Sequence, residues 1–215
     1  MKNENLLIVF FVVLIVGALF FITVQFNKSN SGQSEKPAAT PTPTVKTLPK
    51  PSMIIDPKKH YQATLHTTAG DIVFGLKTDM TPITCNNFVY LAKNHFYDNT
   101  IFHRVVKDFM IQGGDPKGDG TGGPGYEFDN ENFTGDYNRG IVAMANAGRN
   151  TNGSQFFIVQ KDVNMPKDYV IFGEVTQGIN IVDQIADAPV TMSAQGEMSK
   201  PVNPVKILSV TITEQ

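Results

Sequence analysis

Hydrophobic positions fall into three regimes along the chain. From Leu6 to Phe26 they form one uncharged run with no polar stripe at helical spacing. About 20 residues at 1.5 Å rise cross a hydrocarbon core of roughly 30 Å, so this run predicts a transmembrane helix. A cleaved secretory signal has a shorter apolar stretch and a small-residue cleavage site. The exit here reads Thr-Val-Gln-Phe-Asn-Lys, which favours an uncleaved anchor with the C-terminal part exported. From Asn27 to Pro51 apolar residues thin out among Ser, Pro, Thr and Lys. Such a segment has little to bury and reads as an extended tether. The expected organisation is a tail and anchor over 1–26, a linker over 27–56, and one domain over 57–215.

Within the domain the pattern becomes that of a folded core. Tyr61–Thr68 and Asp71–Lys77 suit strands, turned by Ala69-Gly70. Thr81-Pro82 opens a helix, with Thr as N-cap and Pro at the first helical position. Ile83, Cys85, Phe88, Val89 and Ala92 form its predicted buried stripe, and it ends near Asn94. Gly113–Gly125 is a glycine-rich loop. Gly140–Ala147, Ser154–Val159 and Tyr169–Val175 read as strands, Ile179–Ala188 as a short amphipathic helix, and Val205–Thr213 as a closing strand. Many short strands with two helices fit a closed antiparallel barrel.

Composition narrows this picture a little. The hydrophobic fraction of 41% supports a real core, and the net charge of −2 suggests no nucleic-acid partner. The single cysteine, Cys85, excludes an internal disulfide and reads as a small buried hydrophobe.

The stretch Phe102–Asp115, FHRVVKDFMIQGGD, carries the candidate chemistry. Alternation puts Arg104 and Val106 on one face with Phe102, and Met110 and Gln112 together after a kink at Lys107-Asp108. One guanidinium and one amide among Phe and Met make a poor core and a plausible binding surface. This stretch resembles a signature of the cyclophilin-type peptidyl-prolyl cis-trans isomerases. Gly140–Val159, GIVAMANAGRNTNGSQFFIV, resembles the family's other long signature, in the same order and at similar spacing. The resemblance runs from about Lys58 to the C-terminus. It implies a mainly β fold, a closed eight-stranded antiparallel barrel capped by two helices.

The resemblance also implies the roles of residues. Arg104 is the catalytic arginine. Phe109, Met110 and Phe157 line the proline pocket, and Gln112 positions Arg104 and the substrate. Ala145 and Asn146 hold the peptide backbone, Asn146 through its main chain, and Gln155 borders the neighbouring subsite. Met165 and Tyr169 fall in the family's last pocket segment. Read without the family, Phe109, Met110 and Phe157 would be core residues, Arg104 a surface ion-pair partner and Asn146 a turn residue. Many eukaryotic members carry Trp where Asn164 stands and His where Tyr169 stands. Tyr169 can still wall the pocket, but without that Trp cyclosporin binding is expected to be weak.

Other motifs fail in context. Gly118-x-Gly120-x-x-Gly123 matches a dinucleotide pattern, yet Pro124-Gly125 follows instead of a helix. Asp115 and Asp119 imitate part of a calcium loop, but Tyr126 stands where a bidentate Glu is needed. Asp129 and Glu131 read as solvated carboxylates. His103 reads as a strand residue facing away from the site. No nucleophile–base pair can be argued, and isomerising an Xaa-Pro bond needs none, because it breaks no sigma bond. No cofactor or metal is implied. The expected protein is a bacterial-like, membrane-anchored, monomeric isomerase acting on proline-containing chains outside the cytoplasm. The alternatives are a non-catalytic proline-peptide-binding or chaperone module and a structural surface protein.

Overall fold

The computed structural model describes residues 46–214. The predicted anchor and the linker up to residue 45 lie outside the described residues. Among those described, no helix is long and apolar enough to cross a membrane.

Eleven strands and two helices follow in the order β1 (Tyr61–Thr67), β2 (Gly70–Leu76), α1 (Pro82–Lys93), β3 (Thr100–Ile101), β4 (Arg104–Val106), β5 (Met110–Gly113), β6 (Ile141–Met144), β7 (Phe156–Val159), β8 (Ile171–Gln177), α2 (Ile179–Ala186), β9 (Val190–Met192), β10 (Met198–Pro201) and β11 (Lys206–Glu214). Nine strands form one antiparallel sheet in the order β3-β11-β1-β2-β8-β6-β7-β5-β4, and β9 and β10 form a separate hairpin. The fold is therefore mainly β with two helices, as expected. The strand count differs, because short irregular segments that periodicity cannot resolve make up β3, β4, β5 and the hairpin.

β1 alternates buried and half-buried positions throughout. The central strands β6 and β7 are buried at every position, so both faces of the sheet are covered there. On one face Phe74, Phe88, Tyr97, Phe156 and Phe172 pack with α1 and α2 as the main core. On the other face Met110, Tyr137, Ala143, Phe157 and Val159 form a second apolar cluster. Adjacent residues of β7 divide between them, Phe156 and Ile158 to the first and Phe157 and Val159 to the second. That division is the period of two of a strand.

Three local expectations change. Ile83 is half exposed, at 51%, and Leu91 completes the stripe of α1 instead. Thr81 occupies the N-cap but makes no side-chain cap bond; its hydroxyl donates to the carbonyl of Ile171 at 3.1 Å. The cap comes from Glu131, whose carboxylate accepts the N–H of Ile83 at 2.9 Å, the N–H of Thr84 at 2.7 Å and the Thr84 hydroxyl at 2.6 Å. Glu131 is thus a helix cap and not a free solvated charge. Cys85 is fully buried, and burial pushes its thiol up to about 12, as suits a packing residue.

Residues 46–56 lie against the domain. Ile55 is buried, and Asn86 on α1 accepts from the Ile54 N–H at 2.7 Å and donates to the Ser52 carbonyl at 3.0 Å. The Leu48 N–H donates to the Pro124 carbonyl at 2.9 Å.

Candidate active site

Strand pairing builds the site as a row. Arg104 opposes Gln112, Gln112 opposes Phe157, and Phe157 opposes Ala143. Directly opposed residues share a face, so one line crosses β4, β5, β7 and β6. One step along, Val106 opposes Met110 and Met110 opposes Val159. The turn at Lys107–Phe109 bends back through Asp108, at φ +59°. It sets the Phe109 ring centroid 5.9 Å from the Arg104 guanidinium. Phe102 does not share the Arg104 face. The strand breaks at Phe102-His103, and Phe102 turns into the main core.

Arg104, Phe109, Met110, Gln112, Ala145, Asn146, Phe157, Met165 and Tyr169 together line a cleft of about 190 Å³. Its floor is apolar: Met110 and Phe157 are almost fully buried. Tyr169 stands edge-on to Phe157 at 5.6 Å between centroids. The segment that carries Met165 and Tyr169 is tied down by Tyr137. Its hydroxyl shares its one proton between the carbonyls of Tyr169 at 2.9 Å and Pro166 at 3.2 Å and accepts from the Tyr169 N–H at 3.1 Å. Asn146 donates through its side chain to the Asp168 carbonyl at 2.9 Å. That bond ties the Asn146 segment to the segment that carries Tyr169.

Gln155 lies outside this cleft. It borders an adjoining groove of about 690 Å³ that shares Gln112, Ala145 and Asn146 with the cleft. Its amide accepts from Gln112 at 3.0 Å and donates to the carbonyls of Gly120 at 3.0 Å and Gly122 at 2.8 Å. Gln112 in turn accepts from Arg104 Nη1 at 3.3 Å. A polar relay therefore runs from the guanidinium to the glycine-rich loop. The loop itself wraps the buried Asp115, whose carboxylate accepts the N–H groups of Lys117 at 2.7 Å, Asp119 at 3.1 Å and Gly120 at 2.6 Å. That carboxylate is an anchor for the loop and is already surrounded by donors, an arrangement unsuited to a cation.

Two residues near Arg104 escape sequence reasoning. Glu197, in the β9–β10 turn, accepts from Arg104 Nε at 2.7 Å and Nη2 at 2.9 Å. The hydrogen bonds from Arg104 hold its carboxyl down at about 2. The separation of 93 positions leaves no local signal of this pairing. His103 belongs to no strand, and it is not among the residues that line the cleft. It lines a cavity of about 310 Å³ together with Arg104, Gln112 and Glu197. Its ring nitrogens are buried with no hydrogen-bond partner among the described residues, and burial pulls its pKa below the usual histidine value.

The site is thus an antiparallel sheet carrying a small cleft of Phe, Met and Tyr side chains, with the Arg104 guanidinium and the Gln112 amide beside them. The family model described as cyclophilin type peptidyl-prolyl cis-trans isomerase/CLD matches residues 62–212. The chain therefore belongs to the cyclophilin-type peptidyl-prolyl cis-trans isomerase family. It is 40% identical over 182 residues to the probable peptidyl-prolyl cis-trans isomerase B of Mycobacterium tuberculosis. That match covers 77% of this chain and 58% of the mycobacterial protein. With the human peptidyl-prolyl cis-trans isomerase-like 3 it shares 41% identity over 155 residues, 69% of this chain and 94% of the relative. It is also similar to a Cryptosporidium parvum cyclophilin type isomerase crystallised in the presence of the dipeptide Ala-Pro. The TM-score is 0.64 at 36% identity, over 72% of this chain and 99% of the other.

Proposed function

We propose that this chain catalyses cis-trans isomerisation of Xaa-Pro bonds in polypeptides. The observation that carries the proposal is Arg104 lining a cleft floored by the buried apolar Met110 and Phe157. Amide resonance sets a barrier of roughly 18–20 kcal/mol and leaves uncatalysed exchange at tens to hundreds of seconds. The cleft accepts the proline ring, and Ala145 and Asn146 hold the preceding backbone. The Arg104 guanidinium donates toward the prolyl nitrogen. That nitrogen is a poor acceptor while its lone pair is delocalised in the planar amide, and a better one in the twisted state. An interaction stronger in the twisted state lowers the barrier. Phe109, Met110, Phe157, Met165 and Tyr169 exclude water, Gln112 orients Arg104, and Gln155 supports Gln112 from the next subsite. The reaction needs no covalent intermediate and no cofactor. That the Cryptosporidium isomerase was crystallised in the presence of the dipeptide Ala-Pro supports this substrate class.

The apolar run Leu6–Phe26 supports a single-pass membrane anchor, and the same reading places the domain outside the cytoplasm. Asn164, in place of an indole, supports weak cyclosporin binding. The bridge between Ile101 and Asp115 supports a sheet that closes on itself. The proposal is tested by titrating the full-length chain with an Ala-Pro peptide while following cis and trans peptide signals by NMR. Exchange between the two peaks that grows with protein concentration is the expected result. Binding shifts without exchange would leave a non-catalytic proline-binding module.

A further inference from the structure

Arg104 stands between two open spaces. The proline cleft of about 190 Å³ lies on one side and the cavity of about 310 Å³ on the other, and Arg104 and Gln112 line both. Packing alone does not choose the side on which the long, one-third exposed guanidinium rests. Gln112 offers only one bond to it, at 3.3 Å, and Met110 Sδ a weak contact at 3.9 Å. The firm constraint is the two-pronged Glu197 carboxylate, a geometry that fixes the plane of a guanidinium as well as its position. With Nε and Nη2 engaged there, Nη1 is the nitrogen turned toward Gln112 and Met110, which line the cleft.

Glu197 is itself held in place. Its N–H donates to the Ser193 hydroxyl at 3.3 Å, the Ser193 N–H donates to the Glu197 carbonyl at 2.7 Å, and Gly196 closes the turn at φ +80°. The hairpin shares no strand pairing with the main sheet. The ion pair is a polar link from the hairpin to the strand that bears Arg104. The hydrogen bonds from Arg104 favour the ionised Glu197 carboxylate.

We infer that Glu197 is a positioning residue for isomerisation, a carboxylate clamp delivered by the β9–β10 hairpin that turns Arg104 Nη1 toward the prolyl nitrogen. The inference rests on the isomerase reading above. Glu197 touches no substrate; it acts through Arg104. Losing it frees the guanidinium to swing into the larger cavity, which slows turnover while leaving the apolar cleft, and so peptide affinity, intact.

The test uses the full-length chain and an Ala-Pro peptide, and separates peptide Kd from the exchange rate of bound peptide by NMR. Glu197→Ala lowers bound-state exchange about 10-fold with Kd changed less than 2-fold. Glu197→Gln, which keeps one acceptor oxygen, lowers it about 3-fold. Asp187→Ala removes a carboxylate from another exposed ion pair, with Lys107 at 3.1 Å, and leaves exchange at the parent rate. A merely structural role for Glu197 would shift the melting temperature without this split. Bound-state exchange in Glu197→Ala equal to or faster than the parent would overturn the clamp, since the carboxylate would then be idle or attenuating. A parent protein that binds peptide without exchange would take down the isomerase reading and the clamp together.

Discussion

Replacing Glu131 by Ala should destabilise the domain far more than removing an exposed carboxylate does. Glu131 accepts two main-chain N–H groups in the first turn of α1, from Ile83 and Thr84, as well as the Thr84 hydroxyl. No other cap competes, because Thr81 makes no side-chain cap bond. Losing an N-cap costs about 0.5–2 kcal/mol. Losing a negative charge at a helix N-terminus costs about 0.3–1 kcal/mol. Thr84 is fully buried, so its polar groups are not readily rehydrated, and a stranded buried group costs about 1–3 kcal/mol. These costs overlap, and a net loss of about 2–3 kcal/mol follows. For a domain of this size that is a fall of roughly 5–10 °C in Tm. Urea unfolding should show a lower midpoint at unchanged m-value. Glu131→Gln, which retains an acceptor, should lose about half as much. A loss below about 0.5 kcal/mol for the alanine variant would refute the reasoning, because only a solvated surface charge is worth so little. Isomerisation should be unaffected in either case, since Glu131 does not line the cleft.

Further outcomes follow from the same structure. A chain starting at residue 57 should be about 2–4 kcal/mol less stable than one starting at residue 46, because it loses the burial of Ile55 and strands the buried Asn86 amide; equal urea midpoints would contradict this. His103 should make stability fall with acid. Its folded pKa is lowered by burial, so its contribution is complete above the unfolded value of about 6.5 and is lost as pH falls from there through the folded value. Asp115, Asp119 and Arg104 are the charged groups acting on it, the two carboxylates opposing the shift and Arg104 adding to it. Urea midpoints of His103→Phe should therefore depend less on pH between 7 and 5 than those of the parent, and parallel slopes would exclude His103 as the source.

Much of the fold was legible because its elements obey simple periods. β1 alternates cleanly, Thr81-Pro82 marks the start of α1, and β11 closes the chain with a long apolar-rich strand. The predicted bounds of β6 and β7 were too wide because their flanks turn out of the sheet, as where Ala145 and Asn146 leave β6 for the cleft. The β9–β10 hairpin was not legible. Its strands are short, and the residues Thr191, Ser193, Gln195, Glu197 and Ser199 give no apolar period. The cleft residues were gathered by resemblance to a family, whereas the physics of Phe102–Asp115 alone offered only a surface worth suspecting. Glu197 and Glu131 were missed for one reason. Each acts on a partner 93 or 47–48 residues away, and only the folded sheet brings them together.

The central claim is that Arg104 performs the isomerisation from the lip of the cleft. The most direct test is cis-trans exchange of an Ala-Pro peptide, followed by NMR, with the parent chain and with Arg104→Ala. Removing one preorganised donor to a transition state costs roughly 10²–10³-fold in rate, so exchange in the variant should drop by about that factor while the peptide still binds. Exchange in Arg104→Ala within a few-fold of the parent would contradict the account and move the chemistry away from this residue.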